Sequence, residues 1–135
     1  MPNQLPPVPT TAKYVQALTV IEDQITQNQR DLLAAHWSSP RRISTATKLA
    51  LAVGLKNYRA VNLLYGRLGK LLRQEMVYKL PRHTESYTIS WFDKPSGSDV
   101  RFHMHLEIAS ALEQLGWVRS QSMPLNRAGR RLKAR

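Results

Sequence analysis

Between Lys56 and Arg73 the chain concentrates side chains suited to one chemistry: Lys56, Asn57, Tyr58, Arg59, Asn62, Arg67, Lys70 and Arg73. Guanidinium and carboxamide groups offer paired hydrogen-bonding atoms that match guanine and adenine edges in the DNA major groove, and cationic side chains neutralise phosphates. Spacing sorts these residues. At 100° per residue, a helix over 57–73 gathers Ala60, Val61, Leu64, Tyr65, Leu68, Leu71 and Leu72 on one face. The opposite face holds Arg59, Asn62, Gly66, Lys70 and Arg73, flanked by Leu63, Arg67 and Gly69. Asn57, Tyr58, Arg59 and Asn62 occupy the first turns, where a recognition helix meets base edges, and are the expected base readers. Lys56, Arg67, Lys70 and Arg73 are the expected phosphate contacts, with Arg41 and Arg42 upstream and Arg130 and Arg131 in the tail. Gly66 and Gly69 each cost about 1 kcal/mol of helix stability relative to alanine, so a close approach by a phosphate backbone or a packed neighbour is expected at both.

Such a helix needs a platform. The residues before it, Thr45 to Val53, present Leu49, Ala50 and Val53 inward after the cap candidate Ser44 and stop at Gly54, which predicts a helix-turn-helix. Upstream, Tyr14, Ala17, Leu18, Ile21 and Ile25 recur at helical spacing from Ala12, and a second helix is predicted over Gln27 to His36, capped by Thr26 and ended by Ser38-Ser39-Pro40. Downstream the period changes to two. Tyr87, Ile89 and Trp91, then Val100, Phe102 and Met104 across a polar tip, predict a β-hairpin, and a last helix is expected from Leu106 to Leu115 before Gly116. The expected fold class is therefore mainly α with a small β-hairpin (α+β), a winged helix-turn-helix. Residues 1–11, proline-rich, are expected to form a disordered arm, residues 12–118 the domain, and residues 119–135 a basic tail.

The 135 residues carry a net charge of +11, unevenly placed. Between residues 38 and 82 ten lysines and arginines face Glu75 alone, and the tail from Arg119 holds six with no acid. That distribution implies a polyanionic partner, because each neutralised phosphate releases counterions. The absence of cysteine excludes disulfides and thiolate zinc sites. No stretch approaches the ~20 apolar residues of a membrane span and no leader pattern opens the chain, so a soluble, cytoplasmic protein is expected.

The strings GLKNYRAVNLLYGRLGKLL and LEIASALEQLGWV resemble small winged-helix-like modules that precede HNH nuclease domains in bacterial proteins, including ones linked to restriction of modified DNA. The likeness spans roughly residues 26–118. It implies a DNA-binding module and brings with it the expectation that a modified base is sensed. The nuclease part is absent here, with no His-Asn-His arrangement after the module, so cleavage is not implied.

The remaining constellations are weaker. His103 and His105 share a strand face but lack a third convergent ligand, so no metal site is expected. Trp91 and Phe92 are candidates for base stacking, and since strand neighbours point to opposite faces only one can face nucleic acid. Trp37 and Trp117, at element ends, are read as core. No glycine-flanked nucleophile, P-loop or HExxH motif is present, so neither catalysis nor a cofactor is expected. The leading expectation is a double-stranded DNA-binding protein. The alternatives are a protein-interaction module of phage or plasmid type facing an acidic protein, and an RNA-binding protein using the same basic face.

Overall fold

Among the described residues, five α-helices surround one side of a three-stranded antiparallel sheet. The structure, a computed structural model, describes residues 6–81 and 83–119, together with the backbone of two short paired strands, Leu125–Asn126 and Arg130–Arg131. Helix α1 (Thr11–Ile21) starts where the Thr10 hydroxyl accepts from the Lys13 amide, and it buries Tyr14, Ala17, Leu18 and Ile21. Helix α2 (Gln27–Ser38) opens on a reciprocal capping box: Thr26 accepts from the Gln29 amide and the Gln29 side chain accepts from the Thr26 amide. Strand β1 (Ile43–Thr45) leads straight into helix α3 (Ala46–Val53), and helix α4 (Tyr58–Met76) follows after a short turn. Strands β2 (Ser90–Asp93) and β3 (Arg101–Met104) form the hairpin, and helix α5 (Leu106–Gln114) packs back against α1.

The core lies between α1, α2, α4 and α5, where Leu18, Leu32, Leu68, Leu72, Ile108 and Leu112 are fully buried. Burying each such side chain contributes about 2 kcal/mol before the entropy of ordering is set against it. A polar seam runs through its centre. The His36 Nε2–H donates to the Phe102 carbonyl at 2.9 Å, which fixes the tautomer, so Nδ1 accepts from the Tyr65 hydroxyl at 2.9 Å. Burial lowers the His36 pKa to about 4 and pushes that of Tyr65 far up. This seam ties α2, α4 and β3 into one unit.

Three sequence expectations change. Ser44 is not the cap of α3: it sits buried in the middle of β1, and the Thr45 hydroxyl accepts from the Lys48 amide at 3.1 Å instead. The expected strand residues before Ser90 form a 3₁₀ turn, Glu85–Thr88, that lies across α4. Gly69 makes this possible, because a Cβ there would collide with the Glu85 carbonyl. Residues 6–10 pack rather than trail: the Tyr78 hydroxyl donates to the Pro6 carbonyl at 2.9 Å and Val8 lies against the core. The rest of the expected arm, residues 1–5, lies outside the described residues.

Strand β1 is a finding of its own. It pairs with β3, giving the order β1-β3-β2 with Ser44 opposite Phe102 and Phe102 opposite Phe92. The first strand thus anchors the hairpin beside α3 and α4 rather than leaving it to hang from the end of the domain.

Candidate nucleic-acid interface

The turn between α3 and α4 is set by local chemistry. Gly54 takes the left-handed conformation at φ 74°, and the Leu55 amide returns to the Ala50 carbonyl at 2.8 Å. A Cβ on Gly54 would meet nothing within 4 Å, so its role is the backbone angle. Three residues on, Asn57 closes the turn. Its side-chain oxygen accepts from the Arg59 and Ala60 amides at 3.0 and 3.4 Å. Asn57 is therefore the cap of α4, with its acceptor already committed, which corrects its assignment as a base reader.

The other candidates on α4 divide sharply. Tyr58, Arg59, Asn62, Arg67 and Lys70 are exposed, as is Lys56 in the turn. Arg59 lies within 5.9 Å of the Tyr58 ring, and among the described residues neither it, Arg67 nor Lys70 forms an ion pair. Arg73 behaves otherwise. It is partly buried beside Glu85, with Nε 3.8 Å from the carboxylate, so the charge counted toward phosphate is engaged within the chain. Gly66 and Gly69 divide in the same way: Gly69 is filled by the 3₁₀ turn, whereas a Cβ on Gly66 would meet nothing within 4 Å.

Arg41 and Arg42 stand apart from this face. The sheet register puts Thr45 beside Arg101 near the hairpin tip and Ile43 beside His103, so the two arginines lie beyond the end of the sheet away from that tip. Both take positive φ, 57° and 61°, and the Arg42 guanidinium stacks 4.1 Å over the Trp37 ring. Arg42 is thereby engaged as a cap on the core, and Arg41 alone of the pair is exposed. The Arg130 and Arg131 side chains lie outside the described residues.

The hairpin has two unlike faces. Its outer face carries Trp91, Asp93, Arg101 and His103 as a closed set. Arg101 and His103 both donate to Asp93, the latter at 2.8 Å, and Trp91 stacks on His103 with centroids 3.7 Å apart at 11°. The hydrogen bonds from Arg101 and His103 hold the Asp93 carboxyl well below the usual carboxylate range. Trp91 is 44% exposed, yet one ring face is taken and the residue points away from α4. His105, expected on the same strand face as His103, instead precedes α5, buried, with Nε2–H donating to the Tyr87 carbonyl at 2.6 Å. Burial lowers its pKa. Trp117, placed in the core by its position, is only partly buried and carries the Arg30 guanidinium over its ring at 4.0 Å.

The inner face points toward α4 and bounds a cavity of about 760 Å³. Phe92 and Phe102, edge to face at 4.9 Å and 90°, form its sheet side. Tyr58 and Asn62 line it from α4, Ala46 and Thr47 from the start of α3, and Tyr87 from the 3₁₀ turn. Of the sequence candidates, the structure thus brings together Tyr58, Asn62 and Phe92. It adds Thr47, Tyr87, Lys94 and Phe102, which sequence reasoning did not place at a site. Phe102 alternates with Met104 on an inward strand face, and that period was its one available signal.

No group of three or more metal-ligating residues occurs among the described residues, and no helix there is long and apolar enough to cross a membrane. Comparisons with family models, curated proteins and solved structures find no match to this chain. What the face can do follows from its own chemistry: it offers cations and one carboxamide that have no partner among the described residues, and a cleft walled by aromatic rings.

Proposed function

We propose that this chain is a winged-helix module that binds double-stranded DNA, with α4 in the major groove and the hairpin alongside it, and that it binds without catalysing. The observation that carries the reading is the exposed side of α4. Arg59, Asn62, Arg67 and Lys70 project from one rigid helix, and among the described residues no acid is paired with any of these cations. The element order supports it: a strand before the two helices α3 and α4 pairs with the far arm of the hairpin that follows them, the order expected of a winged helix. Gly66 supports it too. No described residue comes close enough to require glycine there, whereas a close-lying phosphate backbone would. On this reading Arg59 and Asn62 read base edges, Lys56, Arg67 and Lys70 hold phosphates, and the first of the two winged-helix-like strings, residues 54–72, falls on the binding helix.

Exposed Leu51 and Leu63 leave apolar surface on the same two helices and favour a protein partner as the second reading. One experiment separates them. Selection from random duplexes, with and without methylated bases and with duplex RNA as competitor, is expected to enrich a DNA site. Asn62→Ala should flatten the preference at one position by about 1–3 kcal/mol, while Lys70→Ala weakens all sequences alike. Absence of salt-sensitive binding to any duplex would overturn the reading in favour of a protein partner.

A further inference from the structure

A cavity lies between α4 and the hairpin, bounded also by the start of α3 and the 3₁₀ turn. Its volume, about 760 Å³, lies within the range of pockets that bind small organic ligands, ~300–1,000 Å³. Its chemistry is divided by side. Phe92, Phe102 and Tyr87 supply π-faces, whereas Asn62 supplies a donor and an acceptor on one planar group, with no hydrogen bond to any described residue. Lys94 adds a cation where the hairpin leads toward its tip. A flat, apolar-faced ring with a donor–acceptor edge, attached to an anionic group, matches all three. That description is a nucleobase on its phosphate.

We propose that this cavity receives a single nucleobase, its ring against Phe92 and Phe102, its hydrogen-bonding edge on the Asn62 carboxamide and its phosphate near Lys94. The assignment rests on the duplex-binding reading for one source of the base, a nucleotide swung out of the helix beside α4, so that the base edge read by Asn62 is that of the extruded base. A free nucleotide is the other source with the same chemistry. A base swung from a duplex must be unstacked and unpaired at a cost of a few kcal/mol, and this cost is least at a mismatch. The cavity therefore favours mispaired positions over fully paired ones.

The test uses the full chain. Duplexes carrying 2-aminopurine at successive positions are titrated with protein, in fully paired form and with one central mismatch, and free nucleoside monophosphates are titrated separately with the Phe92 and Asn62 NMR signals observed. Ala46→Phe and, independently, Ser98→Trp narrow the cavity without touching the cations of α4, and their thermal melts establish that they fold. The expected result is a severalfold rise in 2-aminopurine emission at one position and about tenfold tighter binding of the mismatched duplex. Both effects should vanish in the folded narrowing variants, with salt-dependent duplex binding retained. Free monophosphates that shift the Phe92 and Asn62 signals while duplex emission stays flat also uphold the cavity and identify the free nucleotide as its source. Duplex binding with flat emission, no mismatch preference and no response to monophosphates overturns the assignment and leaves duplex binding standing. Loss of duplex binding itself overturns the functional reading, and the monophosphate titration then judges the cavity alone.

Discussion

Helix α4 has two basic, glycine-bearing sides, and they have been put to opposite uses. On the side toward the 3₁₀ turn, Gly69 is filled by the Glu85 backbone and Arg73 lies against the Glu85 carboxylate. On the side toward solvent, Gly66 faces open space, and Arg67 and Lys70 have no ion-pair partner among the described residues. Residue type is the same on both sides, so composition alone does not tell a structural cation from a free one. Packing does. The outer hairpin face makes the same point from another direction, since Asp93 there holds both Arg101 and His103.

The largest effect expected from this contrast is on stability. Gly69→Ala forces a methyl group into the Glu85 carbonyl, which neither backbone can yield cheaply, and should destabilise the fold by about 3 kcal/mol or more. Equilibrium denaturation checks it, and wild-type stability would show that the turn does not lie where it is described. Next comes pH. The buried neutral His36 has its pKa lowered from 6.5 to about 4, so its contribution is fully present above pH 6.5 and lost as pH falls toward 4. The loss is about 3 kcal/mol over that interval, with His105 shifting in the same direction. Denaturation midpoints at pH 7 and pH 4.5 read it, and His36→Gln should flatten the dependence.

Smaller effects separate the two sides by function. Lys70→Ala should leave stability within about 0.5 kcal/mol and reduce the salt slope of DNA binding by about 1. Arg73→Ala should do the reverse, costing about 1 kcal/mol of stability with the slope unchanged. The smallest change is at Gly66. Gly66→Ala should raise stability by about 0.5–1 kcal/mol through helix propensity while weakening DNA binding, a pairing of signs that a purely structural glycine does not give.

The helices were legible because their signals are local. Thr26 with Gln29, Gly54 after Val53 and the seven-residue apolar stripe of α4 each lie within a few residues. Strand β1 was not legible, because three residues carry no usable period and its partner His103 lies far along the chain. The 3₁₀ turn was hidden for a related reason: Tyr87, Ile89 and Trp91 alternate as a strand does, and only the notch at Gly69 diverts the first of them. At the interface, amphipathicity identified the exposed residues of α4. The commitment of Arg73 to Glu85 and of Asn57 to its cap depends on geometry that a helical wheel does not contain. The cavity draws on α3, α4, the 3₁₀ turn and both hairpin strands, so no single stretch announces it.

The central claim is that the exposed cations of α4 and of the turn before it meet a DNA backbone. Its most direct test is the dependence of duplex affinity on salt concentration for the wild-type chain and for a variant with Lys56, Arg67 and Lys70 all replaced by alanine. With each phosphate contact contributing about 0.9 to the slope of log affinity against log salt, the account predicts that the slope becomes shallower by about 2.7. A slope unchanged by the triple substitution, in a variant that melts like the wild type, would contradict it.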